Sequence, residues 1–384
     1  NESENFGYSV ALHGDYLIVG APYADYYYDS NTSDSCPIIT NCLGSSYDNA
    51  GAAYIFVRNG VNWDFQAKLQ GALVRSAGNL YPTDVGASDA ALNPNDQFGF
   101  DVAINGDYAV VSVPFGDGAH TDVGNVRVYH RTGSTWSYLQ IIGTPIDQNS
   151  SGEKFGYALA LSPNGQALAI SSPFYDNTAN DNNDDRGVIY LYTSNGTGGT
   201  FSPVIAGVNH FASLTGNNGG DQTGFDVSLS NNFIVYGIPH ADIANATSNN
   251  GSVIIRSYDS TGFTTANKAF NAPITQAEQF FGTSVSIGRI DDHAFVVGTP
   301  YYDSSEGNDS GLFAVYSINQ SMNTVTPADF NLVSYIDGDD YCAGSSRFGY
   351  SVATDSNIVG VGAPFNDSHS NSDSGSTSLF FYPY

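Results

Sequence analysis

The chain has 384 residues, of which 41% are hydrophobic and 13% aromatic, so it carries enough apolar side chains to form a sizeable buried core. Thirty-eight acidic residues against 11 Lys and Arg give a formal net charge of −27, which argues against nucleic-acid binding and against docking on anionic lipid, because both need a basic surface. No run of 18 apolar residues occurs, so no membrane insertion is expected.

One five-residue phrase recurs six times and sets the predicted repeats. It reads Phe-Gly-Tyr-Ser-Val at residues 6–10 and again at 348–352, and variants begin at Phe98, Phe155, Thr223 and Phe281. The first repeat also holds extra polar sequence at about 71–97, which we expect to form an inserted loop. The predicted repeats span about 6–97, 98–154, 155–222, 223–280, 281–347 and 348–384.

Each repeat is predicted to contain four short strands. The phrase opens the first strand, and a tight turn such as Gly14 leads into an apolar run that ends at a proline, as at Pro22. A polar loop follows, then a strand that begins with glycine, as at Gly51, and a weaker fourth strand. Repeats of about 60 residues with four antiparallel strands predict an all-β fold, a six-bladed β-propeller of four-stranded blades. The last repeat stops after its third strand, so its blade is expected to be incomplete or completed by another chain.

Two complete Gly-Ala-Pro triplets follow the phrase, at residues 20–22 and 362–364, and degenerate forms stand in the other repeats. This pattern resembles the FG-GAP repeat family, which includes the propeller of integrin α subunits. The short bacterial-type variant is closer, because Gly51-Ala-Ala-Tyr54 and Trp63 match its third and fourth strands. The calcium site of the integrin-type repeats lies between the first two strands; here a tight turn stands there, so that site is not carried over.

The loop after each proline carries a repeated acidic pattern. Aspartate stands three residues after every proline, and Asp or Asn stands two residues before every third-strand glycine. These side chains are expected to accept backbone amides as Asx turns, and some of the loops are also candidates for a structural Ca²⁺, since both roles can coexist. The first position is Asp25, Asp117, Asp176, Asp242, Asp303 and Asp367; the second is Asn49, Asp122, Asp185, Asn249, Asp309 and Asp373. The candidate calcium ligands are Asp176, Asp181, Asn183, Asp185, Asp303, Asp309, Asp367 and Asp373.

The loop of the first repeat differs from the others. Tyr26, Tyr27 and Tyr28 have no counterpart elsewhere, and Cys36 and Cys42 lie close enough in sequence for a local disulfide. Exposed tyrosines are typical of protein and sugar contacts, so this loop is the predicted binding surface. Cys342 is left as a free thiol or as a bridge to another partner. Predicted glycosylation sites are Asn31, Asn149, Asn195, Asn245, Asn308, Asn319 and Asn366.

The sequence shows no HExxH and no G-x-S-x-G motif, so no catalytic residue is proposed. Together with the cysteine pair and the sequons, these features predict an extracellular or cell-surface module that binds or adheres to a protein or glycan without catalysis, with calcium as a candidate cofactor. One alternative is a structural subunit of an extracellular assembly that self-associates through its last blade. The least favoured alternative is a propeller hydrolase or lyase built from loop carboxylates.

Overall fold

The regular structure of the described residues is entirely β in this computed structural model. The chain divides into two compact units, Asn1–Leu161 with Ser194–Ser202, and Ser162–Thr193 with Pro203–Tyr384. A single domain over the whole chain therefore stays a prediction. The described residues are 4–29, 34–35, 46–70, 73–76, 79–82, 92–118, 120–145, 151–176, 184–194, 196, 198–204, 219–242, 249–260, 262–288, 294–305, 307–318, 330–338, 345–367 and 374–382.

The first unit contains the first two repeats. The strands of the first repeat are β1 (Val10–His13), β2 (Tyr16–Ala21), β3 (Tyr26–Asp29), β4 (Asp34–Ser35), β5 (Ser46–Tyr47), β6 (Ala52–Asn59), β7 (Asn62–Gln70), β8 (Leu73–Ser76) and β9 (Asn79–Pro82). They form a blade sheet in the order β1-β2-β6-β7-β8-β9 and a small sheet in the order β4-β3-β5. The second repeat forms one four-stranded sheet from β10 (Val102–Asn105), β11 (Tyr108–Val113), β12 (Asn125–Thr132) and β13 (Thr135–Gly143).

The division between the two units falls within the third repeat. Its strands are β14 (Leu159–Leu161), β15 (Ala167–Ser172), β16 (Val188–Ser194) and β17 (Phe201–Pro203), of which β15 and β16 pair antiparallel.

The second unit contains the last three repeats. The fourth repeat supplies the sheet β18 (Val227–Leu229), β19 (Phe233–Ile238), β20 (Ser252–Asp259) and β21 (Gly262–Asn271). The fifth supplies β22 (Ser284–Ile287), β23 (Ala294–Thr299), β24 (Leu312–Ile318) and β25 (Phe330–Asp337). The sixth supplies a three-stranded sheet, β26 (Ser351–Asp355), β27 (Ile358–Ala363) and β28 (Ser376–Phe381).

One blade per repeat confirms the predicted fold class, a six-bladed β-propeller. The proline that closes each second strand marks its end, since β2 stops at Ala21 and β27 at Ala363, one residue before the proline. The sixth blade has three strands among the residues that the structure describes.

The segment at residues 71–97, which was predicted to form an inserted loop, contains regular structure of its own. The segment contains the hairpin β8–β9, in which Ser76 pairs with Asn79, and β8 extends the first blade by pairing with β7. Leu73 and Val74 give this stretch a short apolar run that its polar surroundings conceal in the sequence.

The larger described core clusters lie between successive repeats. In the first unit, Ile18 and Ile55 of the first repeat pack with Phe98 and Tyr129 of the second. In the second unit, Val296 and Phe313 of the fifth repeat pack with Phe348 and Val359 of the sixth. In these clusters, one repeat buries apolar surface by packing against the next one, as stacked repeats do.

Candidate functional site: the post-proline loops

The aspartate after each proline holds the far end of its own loop. Its Oδ1 accepts the backbone N–H of the Asp or Asn that precedes the third strand, and this bond is present in the first five repeats. The bonds run from Asn49 to Asp25 (3.1 Å), from Asp122 to Asp117 (3.1 Å), from Asp185 to Asp176 (3.0 Å), from Asn249 to Asp242 (2.8 Å) and from Asp309 to Asp303 (2.9 Å). The predicted Asx-type role of these side chains is thus visible in the structure.

The residue that donates this N–H adopts a left-handed backbone conformation. Its φ is 55° at Asn49, 53° at Asp122, 36° at Asp185, 53° at Asn249 and 52° at Asp309. Asn and Asp adopt positive φ more readily than other side chains do, which explains why only these two residue types occupy the position.

The carbonyl of the same residue joins its repeat to the next one. It accepts the N–H of the residue just before the phrase, from Gln97 (3.1 Å), Lys154 (3.1 Å), Gln222 (2.9 Å), Phe280 (3.2 Å) and Arg347 (2.9 Å). The N–H of the following residue, the first of the phrase, donates to the next carbonyl of the loop, as from Phe98 to Ala50 (2.9 Å) and from Phe348 to Ser310 (3.1 Å). The aspartate therefore positions a loop whose main chain binds the following repeat.

Glycine is required on both sides of this junction. Gly51 and Gly311 have φ of 90° and 85°, and a Cβ at either would clash with the backbone of Phe98 or Phe348. The Gly-Ala-Pro glycines pack equally closely, since a Cβ at Gly20 would meet the carbonyl of Gly99 in the next repeat. The Phe-Gly and Gly-Ala-Pro parts of the repeat therefore take part in the same contact. In this contact, the Phe-Gly of one repeat lies on the glycines of the preceding repeat.

Aromatic side chains line the same junction. The guanidinium of Arg347 lies 4.7 Å from the ring centroids of both Tyr301 and Phe365, and the ammonium of Lys154 lies 5.1 Å from that of Phe115. The aromatic residue after the proline is therefore part of the packing between repeats, as its recurrence in the sequence suggested.

Buried acids within and before the phrase were missed by the sequence reasoning. Asp101 is enclosed between three repeats: its Oδ1 accepts from Ser9 (2.6 Å) and Val102 (2.8 Å), and its Oδ2 accepts from the N–H of Leu159 (2.6 Å). Asp226 holds the same position in the fourth copy of the phrase, and its Oδ2 accepts from the N–H of Val285 in the next repeat (2.7 Å). The signal available in the sequence was that only Asp, Ser or Ala occupies the fourth position of the phrase.

Burial shifts the titration of these acids. It raises the pKa of Asp101 to about 6, while the hydrogen bonds from Ser9, Leu159 and Val102 oppose that rise. Burial also raises the pKa of Asp96 and of Asp221 to about 6; these two side chains stand two residues before the phrase. Because the same position is occupied by a buried side chain in several repeats, these acids belong to the packing between blades rather than to one unique site.

The candidate calcium ligands are only partly described. Asp176 is 3% exposed and accepts the N–H groups of Asp184 and Asp185 (3.0 Å each) through one oxygen. Asp181, Asn183 and Asp373 lie outside the described residues, whereas Asp303, Asp309 and Asp367 lie within them. Within the described ranges no three His, Cys, Asp or Glu side chains are grouped so that they could hold a metal ion. Calcium binding stays a prediction.

The tyrosine-rich loop contains regular structure of its own. Tyr26–Asp29 forms the central strand of the small sheet, where Tyr26 pairs with Tyr47 and Tyr28 pairs with Ser35. In the described parts of the other post-proline loops, no strand lies between the proline and the third-strand glycine. This sheet, which we call the loop sheet, consists of β3, β4 and β5.

The remaining predicted sites have different outcomes. Cys36, Cys42 and Cys342 lie outside the described residues, as do Asn31, Asn149, Asn195, Asn245 and Asn319. Asn308 is exposed, as a glycosylation site requires. Asn366 is only 7% exposed and its Nδ2 donates to Ser376 (2.9 Å), so the structure does not present this sequon for modification.

Removal of one loop carboxylate should weaken the fold modestly. We expect Asp303→Ala to lower the free energy of unfolding by about 1 kcal/mol, because the N–H of Asp309 loses its acceptor in a partly exposed loop. Urea unfolding followed by tyrosine fluorescence measures the change. Asp303→Asn retains an acceptor oxygen and should stay within about 0.5 kcal/mol of the unsubstituted protein; an equal loss in both variants would contradict the proposed role of the hydrogen bond.

Comparison with known proteins supports the repeat assignment. Residues 1–35 and 84–129 match the family model described as FG-GAP repeat, and no curated protein sequence matches the chain. Among solved structures, the chain is similar to Saccharomyces cerevisiae Sqt1, with 11% identity, coverage of 95% of this chain and 82% of that one, and a TM-score of 0.42.

A second similar structure is a candidate 6-phosphogluconolactonase from Bacteroides uniformis, with 9% identity, coverage of 98% and 85%, and a TM-score of 0.50, a likeness that shows the fold alone. No helix in the described part of the chain is long and apolar enough to cross a membrane. Six copies of the phrase, the blade sheet that each copy opens and the two matched segments are consistent with a propeller of FG-GAP repeats.

Proposed function

We propose that this chain is a non-enzymatic binding module of the extracellular space or cell surface, and that the loop sheet of the first repeat is its contact surface for a protein or glycan. The observation that carries the proposal is the loop sheet itself, which places three consecutive tyrosines on one strand within a loop of the first repeat. Such strands display side chains on a fixed backbone, and tyrosine provides both ring surface and a hydroxyl for recognition.

The rest of the repeat provides a rigid support for that surface. The loop sheet lies between the proline of β2 and Gly51, and the hydrogen bond from Asn49 to Asp25 joins the two ends of this loop. The carbonyl of Asn49 is in turn bonded to Gln97 of the second repeat. A recognition loop held at its base loses less conformational entropy when a ligand binds.

The charge and composition favour an extracellular or cell-surface setting. With a net charge of −27, the chain repels nucleic acid and anionic membranes but accommodates basic proteins, neutral glycans and a salty medium. Two features are typical of secreted proteins: the exposed sequon at Asn308 in the fifth repeat, and the pair Cys36 and Cys42 in the tyrosine-rich loop of the first repeat.

Two further proposals rank below this one. Calcium binding by the acidic loops would add rigidity, and it rests on the oxygen-rich sequence of the third, fifth and sixth loops. A hydrolase or lyase activity rests only on the raised pKa values of buried acids, which recur between repeats as packing side chains do.

The test removes the tyrosine rings from the loop sheet. A triple substitution of Tyr26, Tyr27 and Tyr28 by serine is expected to abolish binding of the purified protein to the glycans or immobilised surface proteins that the unsubstituted protein selects on an array. A loss of at least tenfold in affinity is expected, because aromatic side chains carry much of the binding energy of protein and glycan contacts.

The matched control is Trp63→Ser, which removes another exposed aromatic side chain from the same repeat but outside the loop sheet. This variant should bind like the unsubstituted protein. Equal binding by the triple variant would overturn the assignment of the loop sheet, and binding that is lost in EDTA would support the calcium proposal.

A further inference from the structure

The first repeat shows that the outer edge of a fourth strand can accept a further strand. In that repeat β8 pairs antiparallel with the end of β7, so that Ala67 lies opposite Ser76 and Gln70 lies opposite Leu73. Residues 67–70 of β7 are covered in this way, and Ala67 and Gln70 are only 2% and 5% exposed.

The fifth repeat has the same edge without a strand on it. In both repeats the ladder between the third and fourth strands contains a β-bulge at the same distance from the third-strand glycine. Ser334 and Ala67 each lie directly after the bulge, so residues 334–337 of β25 correspond to residues 67–70 of β7. In the described part of the chain β25 pairs with β24 alone, so the main-chain groups that point away from β24 are available to a further strand.

The side chains of β25 are also exposed. Five consecutive residues, 331–335, are exposed, and Leu332, Val333 and Tyr335 among them are 44%, 42% and 43% exposed. The blades that pack against that of β25, those of the fourth and sixth repeats, belong to the same compact unit as β25. This exposure is therefore a property of the second unit by itself.

Other fourth strands carry features that block pairing at an open edge. β17 is three residues long and ends at Pro203, and β21 carries Lys268 in the corresponding stretch. In β13 the side chain of Gln140 exchanges two hydrogen bonds of 2.9 Å with the main chain of Phe201 in β17. Short length, proline and lysine are common protections of edge strands, and β25 has none of them. Its edge can therefore pair with another chain.

The charge at this edge favours a basic partner strand. Asp337 ends β25 and is the one charged residue of the strand, and the chain as a whole has a net charge of −27. A second copy of the chain would bring a like charge, whereas lysine or arginine opposite Asp337 forms an attractive cross-strand pair. Ile336 favours an apolar residue opposite it, as Val74 of β8 lies opposite Leu69.

We propose that residues 334–337 of β25 bind an extended, basic segment of a partner protein as an added antiparallel strand, in the register of β8 on β7. Main-chain hydrogen bonds provide the affinity in such contacts, and the side chains opposite Asp337 and Ile336 provide the specificity. This surface lies in the fifth repeat, goes beyond the ligand contact proposed for the loop sheet and does not depend on it.

The probe is a short synthetic peptide with Lys-Val-Arg-Ser at its centre, which is the β8 sequence with lysine in place of its first residue. In the register of β8, the lysine lies opposite Asp337 and the valine opposite Ile336. Fluorescence anisotropy of the labelled peptide should show saturable binding to the full chain, and this binding should weaken as salt is added. The same peptide with glutamate at both basic positions should bind about tenfold more weakly.

A charge exchange at Asp337 tests the register. Asp337→Lys should weaken binding of the basic peptide about tenfold and strengthen binding of the glutamate peptide by a similar factor. The matched control is Asp64→Lys, which makes the same change of charge at an exposed residue of β7 and should bind the basic peptide like the unsubstituted protein. Tyr335→Lys, which places lysine on the edge itself, is a second variant with the same expected loss. Circular dichroism of each variant verifies that the fold is retained.

Hydrogen exchange locates the bound peptide. A saturating amount of the basic peptide should slow amide exchange in residues 334–337 and leave that of β13 unchanged. The proposal is wrong if the peptide shows no saturable binding, if Asp337→Lys and Asp64→Lys weaken binding equally, or if exchange in β25 is unchanged. A dimer of the unsubstituted protein that Tyr335→Lys abolishes would show that a second copy occupies the edge, and would also overturn the proposal.

Discussion

Gly311→Ala should lower the free energy of unfolding by about 3 kcal/mol or more, a large effect for a single added methyl group. The φ of Gly311 is 85°, a region that alanine occupies only with strain, and the added Cβ would meet the main chain of Phe348 rather than a mobile side chain. Relief would require the fifth and sixth repeats to move apart, which would also weaken the bond from Phe348 to Ser310. Chemical denaturation measures the loss as a lower midpoint.

Gly60→Ala separates the two causes of this loss, which are backbone strain at positive φ and the clash of the added Cβ with the next repeat. Gly60 has φ of 64° in the turn between β6 and β7, and no atom lies within 4 Å of a Cβ placed there. This variant carries the backbone strain without the clash, so a loss of only about 1 kcal/mol is expected. Similar losses in both variants would mean that close packing between repeats contributes little to stability.

Asp101→Ala should lower the free energy of unfolding by about 2 to 4 kcal/mol, because three donors lose a short hydrogen bond at a partly buried position. These donors are the hydroxyl of Ser9 and the N–H groups of Val102 and Leu159. A buried donor without a partner costs about 1–3 kcal/mol, and the N–H of Val102 retains a 3.2 Å bond to the hydroxyl of Ser9. Thermal and chemical unfolding both measure this loss.

The carboxyl of Asp101 also predicts that the free energy of unfolding depends on pH. Burial raises the pKa of Asp101 in the folded protein to about 6, above its ordinary value of 3.8, so the folded state binds the proton more tightly than the unfolded state does. The stabilising contribution of protonation is complete below pH 3.8 and is lost as the pH rises through 6. Relative to Asp101→Asn, the unsubstituted protein should therefore gain up to about 3 kcal/mol of stability between pH 7 and pH 4.

Comparison with Asp101→Asn cancels the contribution of the other acidic groups to the pH dependence of stability. Asp96 and Asp221, whose pKa values are also raised to about 6, titrate in both proteins, as does the general repulsion of an acidic chain. Parallel stability curves for the two proteins across this range would show that the three hydrogen bonds keep Asp101 ionised in the folded state.

The sequence predicted the strands well because the same residue types mark the strand ends and the turns in every repeat. The proline after β2 and β27 marks the strand end, and glycine at the tight turns supplies the positive φ that hairpins need. The loop aspartates were also predictable, since a side chain that stands at the same distance from a proline in all six repeats has a local structural role.

The junctions between repeats could not be predicted in the same way. Phe98 was assigned to the first strand of its repeat, yet β10 begins at Val102, and Phe98 lies instead against the preceding repeat. The residues that receive it, such as Ala50 and Gly51, are distant in sequence, so no local pattern connects them. The hairpin β8–β9 was missed for a different reason, because its short strands lack the alternation that marks the other strands.

The main-chain character of the junctions has an evolutionary consequence. The bonds that join Asn49 to Gln97 and Ala50 to Phe98 use backbone atoms, so the side chains of the loop between Asp25 and Asn49 are not needed to hold the repeats together. Insertions can accumulate between the proline and the third strand, or after the fourth strand, while the packing of the blades is preserved. The loop sheet and the hairpin β8–β9 occupy these two positions in the first repeat, which shows how one blade of a repetitive scaffold can diversify while its neighbours conserve their shape.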